Sequence, residues 1–359
     1  MPSLLASPAA EEHAHRACDE VVVAGRRLRP TAVFDTYWRF AVLRDRVYRA
    51  RVAGAPAPWT SDPILARHRF TNCFRAADRV SQQLIAGVSY RGDQRWEEVF
   101  FRTLLFKFFN KASTWELLVG ALGGTPTWAD YDFGRYDGVL SKAFASGGRL
   151  YSAAYITPPP AMGESRKHAN HLRVLETMMA TNAPARVLAA KSLQEAYRIL
   201  LGYPAIGPFL AYQYVIDLNY AAEMPFEEGD FVVPGPGAKD GIRKAFGAAA
   251  DGIEAEVIHY MTDTQEEHFA RLGLEPVRLG GRRRLQLIDC QNLFCEVDKY
   301  ARVAHPEVAG ISGRARIKQV YRADSAPLTP WFPPKWGLTD AAGAGASGTR
   351  GASGAAERS

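Results

Sequence analysis

The stretch "LLGYPAIGPFLAYQYVIDLNY", residues 200–220, places two glycines and two prolines within seven positions and then runs on in largely apolar residues. The preceding "APARVLAAKSLQEAYRIL" carries the apolar spacing of a helix, and Pro208 stands where the first turn of a second helix needs no amide. This pattern predicts a helix, a tight connection over 202–208 and a second helix. Glycines in the connection permit close approach and positive φ. Such a hairpin leaves amides at a helix N-terminus facing outward, which suits a nucleic-acid phosphate and fixes position without reading sequence. An ordinary helical corner packed into a core has the same pattern, so both readings stay open at this point.

Around the hairpin the pattern is mainly helical. "TAVFDTYWRFAVLRDRVYRARVAG" puts Val33, Tyr37, Phe40 and Val47 on an apolar face and stops at Gly54. "DPILARHRFTNCFRAADRVSQQLIAGV" opens with Asp-Pro, a helix-start signal. "DQRWEEVFFRTLLFKFFNKASTWELLVGAL" reads as one long, aromatic-rich, buried central helix, and "GRYDGVLSKAFASG" and "HANHLRVLETMMAT" as further helices. Strand signals are scarce, "RLYSAAYIT" (149–157) being the best of them. The expected organisation is a loose leader over residues 1–30, one helical domain over 31–305, a basic Pro-rich segment over 306–340, and a Gly/Ala/Ser-rich tail over 341–359 that cannot bury enough surface to order itself.

An apolar fraction of 47% in 359 residues supports a substantial core. Lys and Arg exceed Asp and Glu by 44 to 38, a net +6 that is too mild to prove a polyanionic partner, although "RHRFTNCFRAADR" (67–79), "RRR" (282–284) and "RARIKQVYR" (314–322) concentrate it locally. The four cysteines form no CxxC pair and no common zinc spacing, and the start lacks the basic end and apolar centre of a signal peptide. No apolar run is long enough to cross a bilayer. The expectation is a DNA-associated protein of the cytoplasm, or of the nucleus in a eukaryote, with free thiols.

Two resemblances sharpen this. "LLGYPAIGPFLAYQY" is similar to the hairpin of the helix–hairpin–helix DNA glycosylases, in which an essential aspartate follows about twenty residues on; Asp230 in "MPFEEGDFVVPGPGAKDGIRKAF" stands at the matching place. This chain lacks the hairpin lysine of the lyase-type enzymes and an iron–sulfur cysteine cluster. A broader resemblance, from about Phe34 to Arg302, rests on "PWTSDPILARHRFTNCFRAADRVSQQLI", "FFRTLLFKFFNKASTWELL", "GDFVVPGPGAKDGIRKAF" and "DCQNLFCEVDKYARV". These pieces look like the family named for the helical domain of 5-hydroxymethyl-deoxyuridine DNA kinase, also called α-glutamyl/putrescinyl thymine pyrophosphorylases. The resemblance implies a mainly α, helix–hairpin–helix glycosylase-like fold with few or no strands. It also implies DNA-base hypermodification, in which an amine displaces pyrophosphate from a hydroxymethyluracil-derived base.

Such chemistry needs a base turned out of the duplex, cations with or without magnesium on the leaving group, and a proton acceptor for the amine. Asp230 is the candidate acceptor, with a cap or turn role as the plain alternative. The hairpin candidates for the DNA backbone are Gly202, Tyr203, Ile206 and Gly207. In "HRFTNCFRAADR", Arg69 adds a cation, and Asn72, Arg75 and Arg79 would share one helical face at i, i+3 and i+7; an Arg75–Asp78 ion pair is equally open. Arg102, Lys107, Asn110 and Lys111 are the polar exceptions in the aromatic helix. In "NLFCEVDKYARV", Glu296 and Lys299 could hold the amine or a metal and the phosphate, or simply pair with each other. His168 and His171 bring no further matched metal ligand.

Three activities remain in play at this stage: base hypermodification, a glycosylase using Asp230, and a non-catalytic nucleic-acid-binding module. "GPGAKDG" does not meet the GxxxxGK[ST] spacing of a phosphate loop, which leaves the kinase reading weakest.

Overall fold

Thr31 accepts a hydrogen bond from the Val33 amide and so opens α1 (Ala32–Val52). In this computed structural model, which describes residues 18–153, 157–322 and 328–338, α1 lays Phe34, Tyr37, Trp38, Phe40 and Val47 into the core and ends at Ala53, with Gly54 at φ +71°.

The Asp-Pro signal starts α2 (Pro63–Arg67), where Asp62 accepts from the Ile64 and Leu65 amides at 2.9 and 2.8 Å. That helix stops after five residues, which corrects the continuous helix expected across 62–88. Residues 73–77 are buried in succession, and a surface helix cannot bury five consecutive side chains. They run instead as irregular chain with a short 3-10 turn (Arg75–Ala77) before α3 (Arg79–Leu84) and a π-helical turn (Ile85–Ser89).

The aromatic segment is also two helices rather than one, α4 (Trp96–Phe109) and α5 (Ala112–Leu122). Asn110 divides them at φ 49°, a left-handed conformation that asparagine tolerates and that closes α4. Burial of α4 on all sides agrees with a central helix. It touches α5, α7 (Lys167–Ala180), α8 (Ala183–Leu188) and α10 (Pro208–Leu218), with α6 (Phe133–Ala145) and α9 (Leu193–Leu201) completing that side. On the other side α14 (Leu287–Ala304) touches α1, α2, α11 (Pro236–Phe246) and α12 (Glu254–Asp263), and α13 (Gln265–Arg271) follows α12. The buried apolar residues of both sides form one contiguous core.

Residues 149–153 are not strand, and 154–156 lie outside the described residues. The strands lie instead within the expected leader: β1 (Val21–Val23) pairs antiparallel with β2 (Arg26–Leu28). Ala24 and Gly25, both at positive φ, make the two-residue turn whose twist matches a hairpin, and Val21, Val23 and Leu28 enter the core. Short, half-apolar strands of this kind carry too little periodicity to be read from sequence alone.

The segment after α14 lies across the helices as a strap. Val320 bridges His68, the Ser312 amide donates to Asp240 at 2.7 Å, and Gln82 exchanges hydrogen bonds with the Trp331 backbone. Lys335 donates to the carbonyls of Asn219, Ala221 and Met224 at the end of α10, while Phe332 and Leu338 are buried. Among the described residues no helix is long and apolar enough to cross a membrane.

Candidate nucleic-acid interface

Six residues, 202–207, join α9 to α10. Ser192 caps α9 through the Glu195 amide, and Pro208 opens α10 behind Gly207. Tyr203 and Ile206 turn inward, and the Tyr203 hydroxyl meets Thr181 Oγ1 at 2.6 Å; Gly202, Pro204 and Gly207 face solvent. The positive φ expected of a glycine falls on Ala205 (φ 59°) instead. Gly202 and Gly207 have ordinary negative φ, and a Cβ on Gly207 would meet nothing within 4 Å. The fold therefore has no steric need for glycine at 207. What glycine does provide there is an open, side-chain-free approach to the start of α10, where no side chain caps the amides.

A second Gly-Pro start lies beside it. Gly235 and Pro236 open α11 in the same way, and a Cβ on Gly235 would sit 2.8 Å from Cε2 of Phe209 in the first turn of α10. The connecting loop is pinned by Phe231, whose ring packs on Tyr197 of α9 and Tyr212 of α10. Asp230, one residue earlier, is thus held on the surface beside the hairpin, at an exposed bend. From Pro236 onward, "GPGAKDG" serves packing: a Cβ on Gly237 would lie 3.0 Å from Cys295 Sγ, and one on Gly241 would lie 2.1 Å from the Phe294 carbonyl oxygen. Glycines four apart let α11 and α14 approach backbone to backbone.

The structure draws Arg75, Lys107 and Asn110 together. Arg75 Nη1 lies 2.6 Å from Asp217 Oδ1 and donates to the Tyr220 hydroxyl, and its Nε donates to Gln213. Lys107 Nζ lies 2.9 Å from the other Asp217 oxygen and donates to Asn110 Oδ1 at 2.8 Å. All of these side chains are buried. Burial opposes the Asp217 charge, but Arg75 and Lys107 outweigh it and hold the carboxyl below the usual carboxylate value; burial draws the Lys107 ammonium below that of an ordinary lysine despite Asp217. The Arg75 amide donates to Asp289 at 2.7 Å, and burial, then the nearby Glu228, push that carboxyl up to about 7. Asp217, Gln213, Tyr220 and Asp289 were missed at the level of sequence. The available signal was a lone aspartate in the apolar run after the hairpin, which needs a cation.

The other sequence candidates lie apart from this cluster. Because residues 68–74 are not helical, Asn72, Arg75 and Arg79 do not share a helical face; the Asn72 amide donates to Asp78, whereas Arg69 and Arg79 are exposed. Arg102 is fully buried and donates to the carbonyls of Val88, Ser89 and Asp93, closing the π-helical turn. Lys111 donates to the Arg149 carbonyl. On α14, Glu296 and Lys299 pair at 2.7 Å, and Glu296 also accepts from the Thr71 amide, while Asp298 turns inward to Lys244 at 3.0 Å and to Arg302. His171 Nδ1 is 2.7 Å from the Tyr151 hydroxyl and His168 is 3.2 Å from Asp137. No group of three His, Cys, Asp or Glu fit to hold a metal occurs among the described residues.

A helical body with an open Gly-Pro hairpin and a buried ionic centre is the class of protein defined so far. The chain belongs to the family described as 5-hmdU DNA kinase, helical domain, whose model matches residues 31–310. It is also 25% identical over 288 residues to the 5-hmdU DNA kinase of Bacillus phage SP10. That alignment covers 75% of this chain and 45% of the relative, so the chain spans just under half of the relative's length. No solved structure matches.

Proposed function

We propose that the chain grips DNA by its backbone at the 202–207 hairpin and modifies a 5-substituted pyrimidine, of the hydroxymethyluracil type, turned out of the duplex. The observation that carries this reading is the family match over residues 31–310, which takes in the hairpin, the Asp230 loop and α14 together. The side-chain-free hairpin at Gly207 supports backbone contact. In the finer form of the proposal, an amine attacks the base's exocyclic methylene carbon: the C–N bond forms, the C–O bond breaks, pyrophosphate leaves with the bonding pair, and Asp230 takes the amine proton. Arg69 and Arg79, the exposed cations among the candidates, would neutralise the leaving group. Glu296 and Lys299 are already satisfied by each other, so they act in this scheme only by opening their pair.

The test is mass spectrometry of nucleosides and free bases after incubation with DNA carrying thymine, hydroxymethyluracil or its pyrophosphorylated form, with an amine mixture and, separately, ATP. A heavier nucleoside that is lost with Asp230→Asn is the expected result. A released free base would make the chain a glycosylase. Gain of a phosphoryl group from ATP would give it the activity printed in the phage relative's name. Unchanged nucleosides on every substrate, with DNA still bound, would leave a binding module.

A further inference from the structure

The C-terminal half of α1, residues 57–60, α2 with the chain that follows it, and the strap enclose a half-open cavity of about 250 Å³. That is just below the usual size of small-molecule pockets, ~300–1,000 Å³. None of its lining residues belongs to the hairpin or to the Arg75–Asp217 cluster.

Its walls combine three properties. The rings of Trp59, Phe70 and Tyr321 line it, together with Arg44 and Arg51, which stand seven residues apart on one face of α1; no carboxylate is among the lining residues. The Arg51 guanidinium lies 5.1 Å from the centre of the Trp59 ring. Three buried polar atoms of the lining, Arg44 Nη1, His68 Nδ1 and the Tyr321 hydroxyl, have no hydrogen-bond partner in the protein. A buried polar atom left unmade costs about 1–3 kcal/mol, so three converging on one cavity call for a ligand that supplies both donors and acceptors. The strap fixes Tyr321 in place, through its amide to the Arg67 carbonyl at 3.0 Å and the Arg69 amide to the Gln319 carbonyl at 3.1 Å.

We infer that this pocket binds a nucleotide unit, with its base against Trp59, its phosphate at Arg44 in the field of Arg51, and the base's polar edge met by Tyr321 and His68. Aromatic walls select a planar ring, two cations without a carboxylate select an anion of more than one charge, and orphaned groups of mixed donor and acceptor character suit a nucleobase edge. The same unit can arrive as a free nucleotide or as part of a DNA strand. The inference stands whether or not the chain modifies a base.

Titration calorimetry of the full chain with thymidine 5′-monophosphate tests it. Binding is expected, at least tenfold weaker with Arg44→Gln and up to about tenfold weaker with Tyr321→Phe, which removes one hydroxyl and leaves the melting temperature unchanged. Thymidine alone and inorganic phosphate alone should each bind at least tenfold more weakly than the nucleotide. No binding at millimolar nucleotide, or binding indifferent to both substitutions, overturns the proposal. Displacement of the nucleotide by a single-stranded oligonucleotide, lost in Arg44→Gln, assigns the pocket to a DNA strand; no displacement assigns it to a free nucleotide. Duplex binding by the hairpin is read separately in Gly207→Ala, so failure of one site does not imply failure of the other.

Discussion

Arg75 and Asp217 lie 142 residues apart in the chain and 2.6 Å apart in the fold, both almost wholly buried. Their pair, with Lys107 on the other carboxylate oxygen, fastens the irregular chain after α2 to α4 and α10. Removing only the anion strands two buried cations. Asp217→Leu should therefore destabilise the fold by about 3–5 kcal/mol, read as a lowered denaturant midpoint. Replacing Arg75, Lys107 and Asp217 together by apolar residues should cost less than that single change. A triple variant less stable than Asp217→Leu would show that the charges stabilise beyond neutralising one another.

Acidity offers a second test. The Asp289 carboxyl, at about 7 in the fold, stands well above the ~4 of an unfolded aspartate, so between those values the folded chain holds the extra proton. Its contribution to stability is then greatest at low pH and is lost as pH rises from about 4 to about 7, by up to ~1.4 kcal/mol per unit. Asp78, also raised to about 7 by burial, acts in the same direction. Asp217 has the opposite sign: its contribution is present above ~4 and fades as pH falls through its depressed value. Melting temperatures from pH 5 to 8 should fall in the wild type and fall less steeply in Asp289→Asn; equal slopes would contradict the assignment.

Two glycines should behave oppositely. Gly241→Ala drives a Cβ into the Phe294 carbonyl oxygen, and the close pass of α11 on α14 should cost more than about 3 kcal/mol or prevent folding. Gly207→Ala has open space and should melt as the wild type does. If phosphate approaches the start of α10, the same change should weaken duplex binding several-fold in a gel-shift or anisotropy titration.

The strap has its own handle. Lys335 keeps its stem in solvent while its ammonium sits among three carbonyls at the end of α10, and burial of that ammonium lowers its pKa to about 8. Lys335→Met should cost about 1–2 kcal/mol and speed hydrogen exchange at residues 219–224. Unaltered exchange there would mean that Phe332 and Leu338 alone hold the strap.

Much of the helical plan was readable because its signals are local. Asp62 before Pro63, the arginine-backed apolar face of α1 and the Gly-Pro start of α10 each specify backbone geometry within a turn or two. The errors arose where a distant partner overrides the local pattern. The expected helix across 62–88 yields because residues 73–77 must all be inside, and the long aromatic helix divides at Asn110, whose side chain accepts from Lys107.

The sequence by itself determined the helical class, most helix starts and the hairpin, since hydrogen bonding between near neighbours and 3.6-residue apolar spacing are written in consecutive residues. Tertiary structure alone decided that Arg75 and Lys107 meet Asp217, that Gly237 and Gly241 serve the packing of α11 on α14, and that Tyr321 closes a pocket over Arg44 and Trp59. Those relations join residues tens to hundreds of positions apart. Their reason is burial, which requires every charge or polar atom carried inward to find a partner wherever in the chain it lies.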